Sequence, residues 1–322
     1  MFNLFNDPAI INIPKYLRWL LAKFISKRRT KTAQEIYKKL GGKSPILGLT
    51  LNQAAALKKE LEQTAHRAVE VFVCMRYWHP MASEVVESVK RYNPDKIVLL
   101  PLYPHYSTTT TGSAFNDWKK NAEQAMLDVT TVKICCYPND AKFLESHATL
   151  ISDIYQKINT KKRPRILFSA HGLPKKIILA GDPYEFQINI TAEKILDMLN
   201  FDNVDSVVCY QSKVGPLEWL GPNIETEIER AAVDKVPIIV VPIAFVSEHS
   251  ETLVELDIEY LEYAEKLEVP GYYRVPALAV NELFILSLSK LVNSAIDEKT
   301  ELYLPSGKRI CPKKFGKCPI VN

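Results

Sequence analysis

The sequence predicts an α/β protein of two lobes, each with a mostly parallel sheet flanked by helices. Three observations carry this. Short β-branched apolar runs recur along the chain, helical segments separate them, and the runs are apolar throughout instead of alternating. Strands separated by helices pair through crossovers and so lie parallel. Unbroken apolar runs suit strands covered on both faces. The runs are VEVFVCM from Val69, KIVLLPL from Lys96, TVKICCY from Thr131, RILFSAH from Arg165, DSVVCYQ from Asp205 and VPIIVVPIAF from Val236; YYRVPAL from Tyr272 is a weaker seventh. Helical character falls between them at Ser83–Tyr92, Phe143–Ile158 and Thr191–Leu199.

The polar segment TKKRPR, Thr160–Arg165, contains Pro164 and reads as a linker. It divides the chain into a first lobe, residues 1–160, and a second, residues 161–280, with three strands before it and four after. The opening MFNLFNDPAIINIP runs into a helix with no strand ahead of it, so the first lobe is expected to be one strand short. Residues 281–322, a helix near Asn281–Ile296 and a tail, are expected to return to the first lobe.

The first helix places Ile13, Tyr16, Leu17, Leu20, Leu21 and Phe24 on one face, with Lys15, Arg18, Lys23, Lys27, Arg28 and Arg29 around it. This pattern suits a helix lying on an anionic membrane surface, or one lining the lip of an apolar cleft. The alternative is a helix packed on its own core.

A chain of 322 residues with 47% hydrophobic content can bury a sizeable core. A net charge of +4 is too weak to argue for nucleic acid. Six scattered cysteines form no C-x-x-C pair and no dense framework, which suits reduced thiols in a cytoplasmic setting. No signal-peptide apolar region and no bilayer-spanning run is visible.

Sites in open α/β sheets gather at the carboxyl ends of strands. Three such ends carry unusual polar residues: His171 in RILFSAHGLP, Gln211, Ser212 and Lys213 in DSVVCYQSKVGPLEWLGP, and Glu248, His249 and Glu251 in VPIIVVPIAFVSEHSET. After the last, Glu248, Glu251, Glu255 and Glu259 recur at helical spacing and are expected on one face, where like charges repel. A histidine and carboxylates meeting in a cleft can hold a divalent metal loosely or move protons. The plain alternatives are a core histidine and a solvated acidic face. Three strand ends agreeing favours function. His79 and His105 read as structural, and the Thr108–Ser113 run as a helix cap.

SAHGLP, YQSKVGPLEWLGP and PIAFVSEHSETLVELDIEY resemble the signature segments of the ferrochelatase family. FISKRRT, IYKKLGGKSPI, MRYWHP, PLYPHYSTTTTGS and RVPALAVNEL resemble it too, in the same order and over nearly the whole chain. The resemblance implies a chelatase-like fold of two similar Rossmann-like lobes. It implies insertion of Fe²⁺ into protoporphyrin IX to form haem, with iron as a substrate and no cofactor required. It makes His171 and Glu251 the metal-handling and proton-accepting pair, and Glu248, His249, Glu255 and Asp257 a proton or metal conduit. Arg29, Tyr37, Ser44 and Ser212 match positions that hold porphyrin propionates; Arg76 and Tyr77 match a pocket pair and Trp219 a wall. The alternatives are coproporphyrin III or another metal as substrate, or a non-catalytic porphyrin or iron carrier. A cytoplasmic enzyme, in peripheral contact with the inner membrane through residues 13–29, is the expected setting.

The sequence departs from the family twice. Relatives place a strand and an N-x-G-G-P type loop ahead of the segment that matches LFNDP, and the chain starts at FNLFNDPAI. Some members carry a [2Fe–2S] cluster on four largely C-terminal cysteines. Cys311 and Cys318 stand in the tail, no set of four is found, and no cluster is expected.

Overall fold

The computed structural model describes residues 1–65, 67–160 and 162–320. The proposed linker includes Lys161, which lies outside the described residues, as do Val321 and Asn322 of the tail. The first half contains α1 (Phe2–Phe5), α2 (Lys15–Lys39), α3 (Ile46–Thr64), α4 (Ala82–Tyr92), β1 (Ile97–Leu99), α5 (Thr111–Gln124), β2 (Thr131–Ile134) and α6 (Ala141–Tyr155). The second contains β3 (Arg165–His171), α7 (Lys175–Leu179), α8 (Tyr184–Leu199), β4 (Ser206–Gln211), α9 (Ile224–Asp234) and β5 (Ile238–Pro242). A π-helix (Glu251–Glu259) then runs into α10 (Tyr260–Lys266), followed by β6 (Tyr272–Arg274), α11 (Glu282–Ile296) and β7 (Leu302–Tyr303).

Two parallel sheets result, with strand orders β1-β2-β7 and β4-β3-β5-β6. Six of the seven apolar runs became strands. The exception is VEVFVCM, which lies outside any strand and joins only an isolated bridge between Met75 and Met81. A strand needs a neighbour to take its N–H and C=O groups, and among the described residues this run finds none. Val69 and Val71 still pack on the core. The short strand β7, which the sequence reading did not anticipate, fills the far side of β2 instead.

Capping explains several boundaries. Asp140 accepts from the backbone N–H groups of Lys142 and Phe143 to start α6, and Asn281 accepts from Phe284 to start α11. Asn93 and Asn200 end α4 and α8 in the left-handed conformation that asparagine tolerates. Thr110 stands at the start of α5 but makes no capping bond. Its neighbours Ser107 and Thr108 turn instead to the buried Asp182 of the second half, at 3.0 and 2.7 Å.

One core runs through both halves, from Leu57 and Leu61 on α3 through Phe143 on α6 to Ile166 and Phe168 on β3. Helix α11 lies against α3, α6, β1 and β2, with Phe284 6.2 Å from Phe143. Arg165, read from sequence as the end of the linker, heads β3 with its side chain buried between Asp205 and Asp234, each at 2.6 Å. Helix α2 does the opposite of core packing. Only Ala22 is buried, while Tyr16, Leu20 and Phe24 are 68, 56 and 63% exposed. No described helix is long and apolar enough to cross a membrane.

Candidate active site

Strand register builds the site. His171 pairs with Gln211 across β3 and β4, and Ser169 with Pro242 across β3 and β5, so the three polar strand ends emerge on one edge. Gly172 follows His171 where a Cβ would meet the Gln211 carbonyl and the Trp219 ring at 3.2 Å each. The missing side chain lets the loop close under Trp219, whose ring centroid is 6.4 Å from His171.

Glu251 sits between two imidazoles. One carboxylate oxygen is 4.0 Å from His171 Nε2 and the other 3.5 Å from His249 Nε2. Both rings are tied behind: His171 Nδ1 lies 2.6 Å from the Gly172 carbonyl and His249 Nδ1 3.1 Å from the Ser247 carbonyl. A backbone carbonyl accepts only, so each Nδ1 carries a proton and each Nε2 is left for exchange. Burial would raise the Glu251 pKa, but His171 and His249 outweigh it and hold the carboxyl below its usual range. Burial would lower His249, and Glu251 outweighs that in turn, raising it.

Glu255 lies one turn on, accepting from Ser212 Oγ at 2.6 Å and Gln211 Nε2 at 3.1 Å. Burial raises its pKa; the Ser212 bond opposes this, and repulsion from Glu251 adds to it. The two neighbouring carboxyls are thus shifted in opposite directions, Glu251 down and Glu255 up. Ser212 reaches Glu255 from a left-handed backbone, φ 64°. Gln211 also donates to the Glu251 carbonyl at 2.8 Å and accepts from Ser169 at 2.7 Å, so it pins the start of the helix.

The expected row of four carboxylates on one face is revised. The segment is a π-helix that begins only at Glu251, and its i→i+5 step widens the spacing. Glu248 precedes it and turns away to Arg274, whose guanidinium lies 2.5 Å from Glu248 and 2.5 Å from Asp257. Burial would raise the Glu248 carboxyl, but hydrogen bonds from Thr252, then Arg274, then the Ala277 backbone N–H hold it below its usual range. Glu248 and Asp257 are therefore neutralised behind the site, while Glu251 and Glu255 face it. Glu259 lies at the far end, 3.5 Å from Lys39 of α2.

The remaining candidates are spread around this centre. Arg29 and Tyr37 lie on α2, half-buried and exposed, and Ser44 stands in the turn before α3. Among the described residues no hydrogen bond or ion pair joins these three to the His171 cluster. Arg76 has its guanidinium committed, to Asp7 at 2.7 Å, Asp117 at 3.4 Å and Ser113 at 2.9 Å. Tyr77 also donates to Asp7, at 2.9 Å. Asp7, Arg274 and Tyr184, whose hydroxyl donates to the His171 carbonyl at 3.1 Å, escaped the sequence reading because their partners lie far off in the chain. Lys213 is exposed. His79 pairs with Glu84 at a helix start, and His105 is buried against Thr191.

A second cluster lies away from this site. The fold gathers Cys135, Cys136, Cys311 and Cys318, with Tyr106 and Phe315, into one buried group. Sequence spacing revealed no such set, because the two pairs lie far apart in the chain. Gln187 Nε2 stands between them, 3.4 Å from Cys136 Sγ and 3.3 Å from Cys311 Sγ. Hydrogen bonding to Cys136, then burial, pushes the Cys135 thiol up; the bond from Cys311 lowers Cys318 to about 6. Among the described residues no three His, Cys, Asp or Glu side chains form a site for a single metal ion.

The fold is similar to two solved chelatase structures, SirB from Bacillus subtilis with Fe³⁺ (14% identity, TM-score 0.56, 76% of this chain and 89% of that one) and the sirohydrochlorin chelatase SirB from Bacillus subtilis subspecies spizizenii with cobalt (13%, 0.52, 77% and 89%). In sequence, the chain is 47% identical to the ferrochelatase of Pelagibacter ubique over 323 residues, covering all of this chain and 93% of that protein. It is 50% identical to the ferrochelatase of Wolbachia sp. subsp. Drosophila simulans over 292 residues, 90% of this chain and 91% of that one. It is 47% identical to that of Rickettsia bellii over 321 residues, 99% and 88%. The ferrochelatase family model matches residues 1–296, and with it the chain belongs to the ferrochelatase family, enzymes that insert a metal into a porphyrin.

Proposed function

We propose that this site inserts Fe²⁺ into protoporphyrin IX. The observation that carries the reading is Glu251 held between His171 and His249, with Glu255 behind it, at the strand ends of a ferrochelatase-family fold. Insertion breaks two pyrrole N–H bonds. Each electron pair stays on its nitrogen and binds the iron, and each proton must leave. His171 Nε2 takes a proton as the general base. Glu251 receives it, and Glu255 carries it toward Glu259 and solvent. The ionised Glu251 also attracts the incoming cation. Glu248 and Asp257 serve this path indirectly, through the Arg274 pairing that fixes the β6 side. Arg29, Tyr37 and Ser44 hold the propionates, a guanidinium being suited to grip a carboxylate. Arg76 and Tyr77, braced on Asp7, shape the pocket with Ser212 and Trp219. Binding energy from the macrocycle supplies the bend that aims a pyrrole lone pair at the metal.

Helix α2 lays its exposed Tyr16, Leu20 and Phe24, rimmed by lysines and arginines, on an anionic membrane surface, which suits an apolar substrate. The four thiols support a second feature that departs from the sequence expectation. A [2Fe–2S] cluster takes four thiolates, and Cys135, Cys136, Cys311 and Cys318 would be the residues to hold one. Anaerobic reconstitution followed by visible and electron paramagnetic resonance spectra tests it, and a colourless protein ends that reading.

The decisive experiment is anaerobic insertion with Fe²⁺ and protoporphyrin IX, beside coproporphyrin III and Co²⁺. Turnover lost in His171→Ala is expected. Porphyrin binding without turnover makes the protein a carrier, and faster turnover of coproporphyrin III reassigns the substrate.

A further inference from the structure

Helix α8 sends one amide into the group of four thiols. Gln187 is fully buried. Its oxygen accepts from the Tyr106 backbone N–H at 2.7 Å. That bond fixes which way the amide points and turns Nε2 toward sulfur. The two acceptors of Nε2 are Cys136 Sγ at 3.4 Å and Cys311 Sγ at 3.3 Å, one from each pair.

A thiol sulfur is a weak acceptor. Burying an amide costs free energy unless its hydrogens find good acceptors. The same two sulfurs become good acceptors as thiolates, because a hydrogen bond to a charged group is roughly twice as strong as a neutral one. Thiolate is also the form that binds metal. Other groups around the sulfurs suit the same charge. The Ile320 backbone N–H donates to Cys318. The Arg309 guanidinium bonds the carbonyls of Cys311 at 2.9 Å and Ile320 at 3.0 Å, which brings a fixed positive charge beside that pair. Asp182 acts against them on Cys318, with its own carboxylate bonded to Ser107 and Thr108.

We propose that Gln187 tunes the reduction potential of a [2Fe–2S] cluster held by these four cysteines, raising it by donating to one ligand sulfur from each pair. The inference rests on the cluster reading above. Reduction adds one electron, supplied by an external reductant, and part of its charge falls on the ligand sulfurs. A donor aimed at those sulfurs therefore favours the reduced form over the oxidised one. The plain alternative is that Gln187 only ties α8 to the segment before α5 and to the tail.

The test uses the full chain, reconstituted anaerobically with Fe²⁺ and sulfide. Reduction by dithionite is followed by electron paramagnetic resonance at controlled potentials. Gln187→Met has similar length and no donor, and Gln187→Leu is a second variant without one. Losing both bonds is expected to lower the reduced-to-oxidised ratio at a given potential about 10-fold, a midpoint lower by about 59 mV for one electron. The visible bands and iron content should match those of the unmodified protein. An unchanged midpoint in a variant that holds its cluster overturns the inference and leaves the cluster reading standing. A lower melting temperature with an unchanged midpoint makes Gln187 a structural tie and overturns it too. Gln187→Leu decides the matter if Gln187→Met does not fold, and failure of both to fold again makes the residue a structural tie. Folded variants that take up no cluster, beside an unmodified protein that does, make Gln187 a requirement of assembly and overturn the tuning role. An unmodified protein that stays colourless overturns the cluster reading itself, and the inference with it.

Discussion

Two histidines that play no part in the proposed chemistry should set the acid stability of this protein. His147 on α6 is fully buried against Phe143, ring centroids 5.0 Å apart, and among the described residues neither ring nitrogen has a hydrogen-bond partner. His105 is 2% exposed and bonds Thr191 at 2.8 Å. Burial lowers both to about 3 from 6.5, and in His105 the neighbouring His147 adds to the effect. The unfolded chain therefore binds protons below pH 6.5 that the folded chain refuses until pH approaches 3. Stability falls with pH across that window. At pH 5 each ring contributes a loss of about 2 kcal/mol, so the pair costs about 4, out of a total of roughly 5–15 for a folded domain. The perturbation is His147→Leu, which removes one titrating ring from the core. Urea unfolding at pH 7, 6 and 5 reads it, with free energies compared at each pH so that the shared carboxylates cancel. The variant should gain about 2 kcal/mol relative to the unmodified protein between pH 7 and pH 5. Parallel stability curves would refute the reasoning, since they would mean that His147 protonates as readily folded as unfolded.

Two further outcomes concern the site. Arg274→Met leaves Glu248 and Asp257 facing each other without their cation, and should cost about 2–3 kcal/mol at pH 7, discounted for partial exposure. The Glu248 carboxyl is held low by Thr252 and, next, by Arg274, so the part due to the pairing is present above the usual carboxylate range and lost as pH falls. The difference between variant and parent should shrink below about pH 4, and equal urea midpoints at pH 7 would contradict the pairing. Glu255 has a raised pKa, chiefly from burial, so insertion should slow as pH falls through its titration. Glu255→Gln should lower kcat at neutral pH by about 100-fold and remove that acid limb from the rate profile; an unchanged limb assigns it to another group.

Much of the fold could be read from local pattern. Strands β3 and β5 announce themselves because each is a mostly apolar run buried in its sheet, and burial on both faces leaves little else such a run can do. The run at Val69–Met75 has the same local character and no strand, because pairing depends on a neighbour and not on composition. The π-helix was read with α-helical spacing. The segment is held from outside by Gln211 at the Glu251 carbonyl and by Tyr272, whose hydroxyl donates to the Leu256 carbonyl at 2.7 Å. Neither anchor is near in sequence.

By itself, the sequence determined the α/β class, the chain order of most strands, and the polar residues at three strand ends. Each follows from side-chain type and short spacing. Only the tertiary structure decided which of those residues face one another. It placed Glu251 between two Nε2 atoms and withdrew Glu248 and Asp257 to Arg274. It closed Arg76 onto Asp7, joined Gln53 to the loop before His249, and gathered four cysteines from the middle and the tail of the chain. The physical reason is the same in every case. Charge compensation and hydrogen bonding act over a few ångströms of space, and the chain brings distant residues within that range only when the sheets and helices have packed.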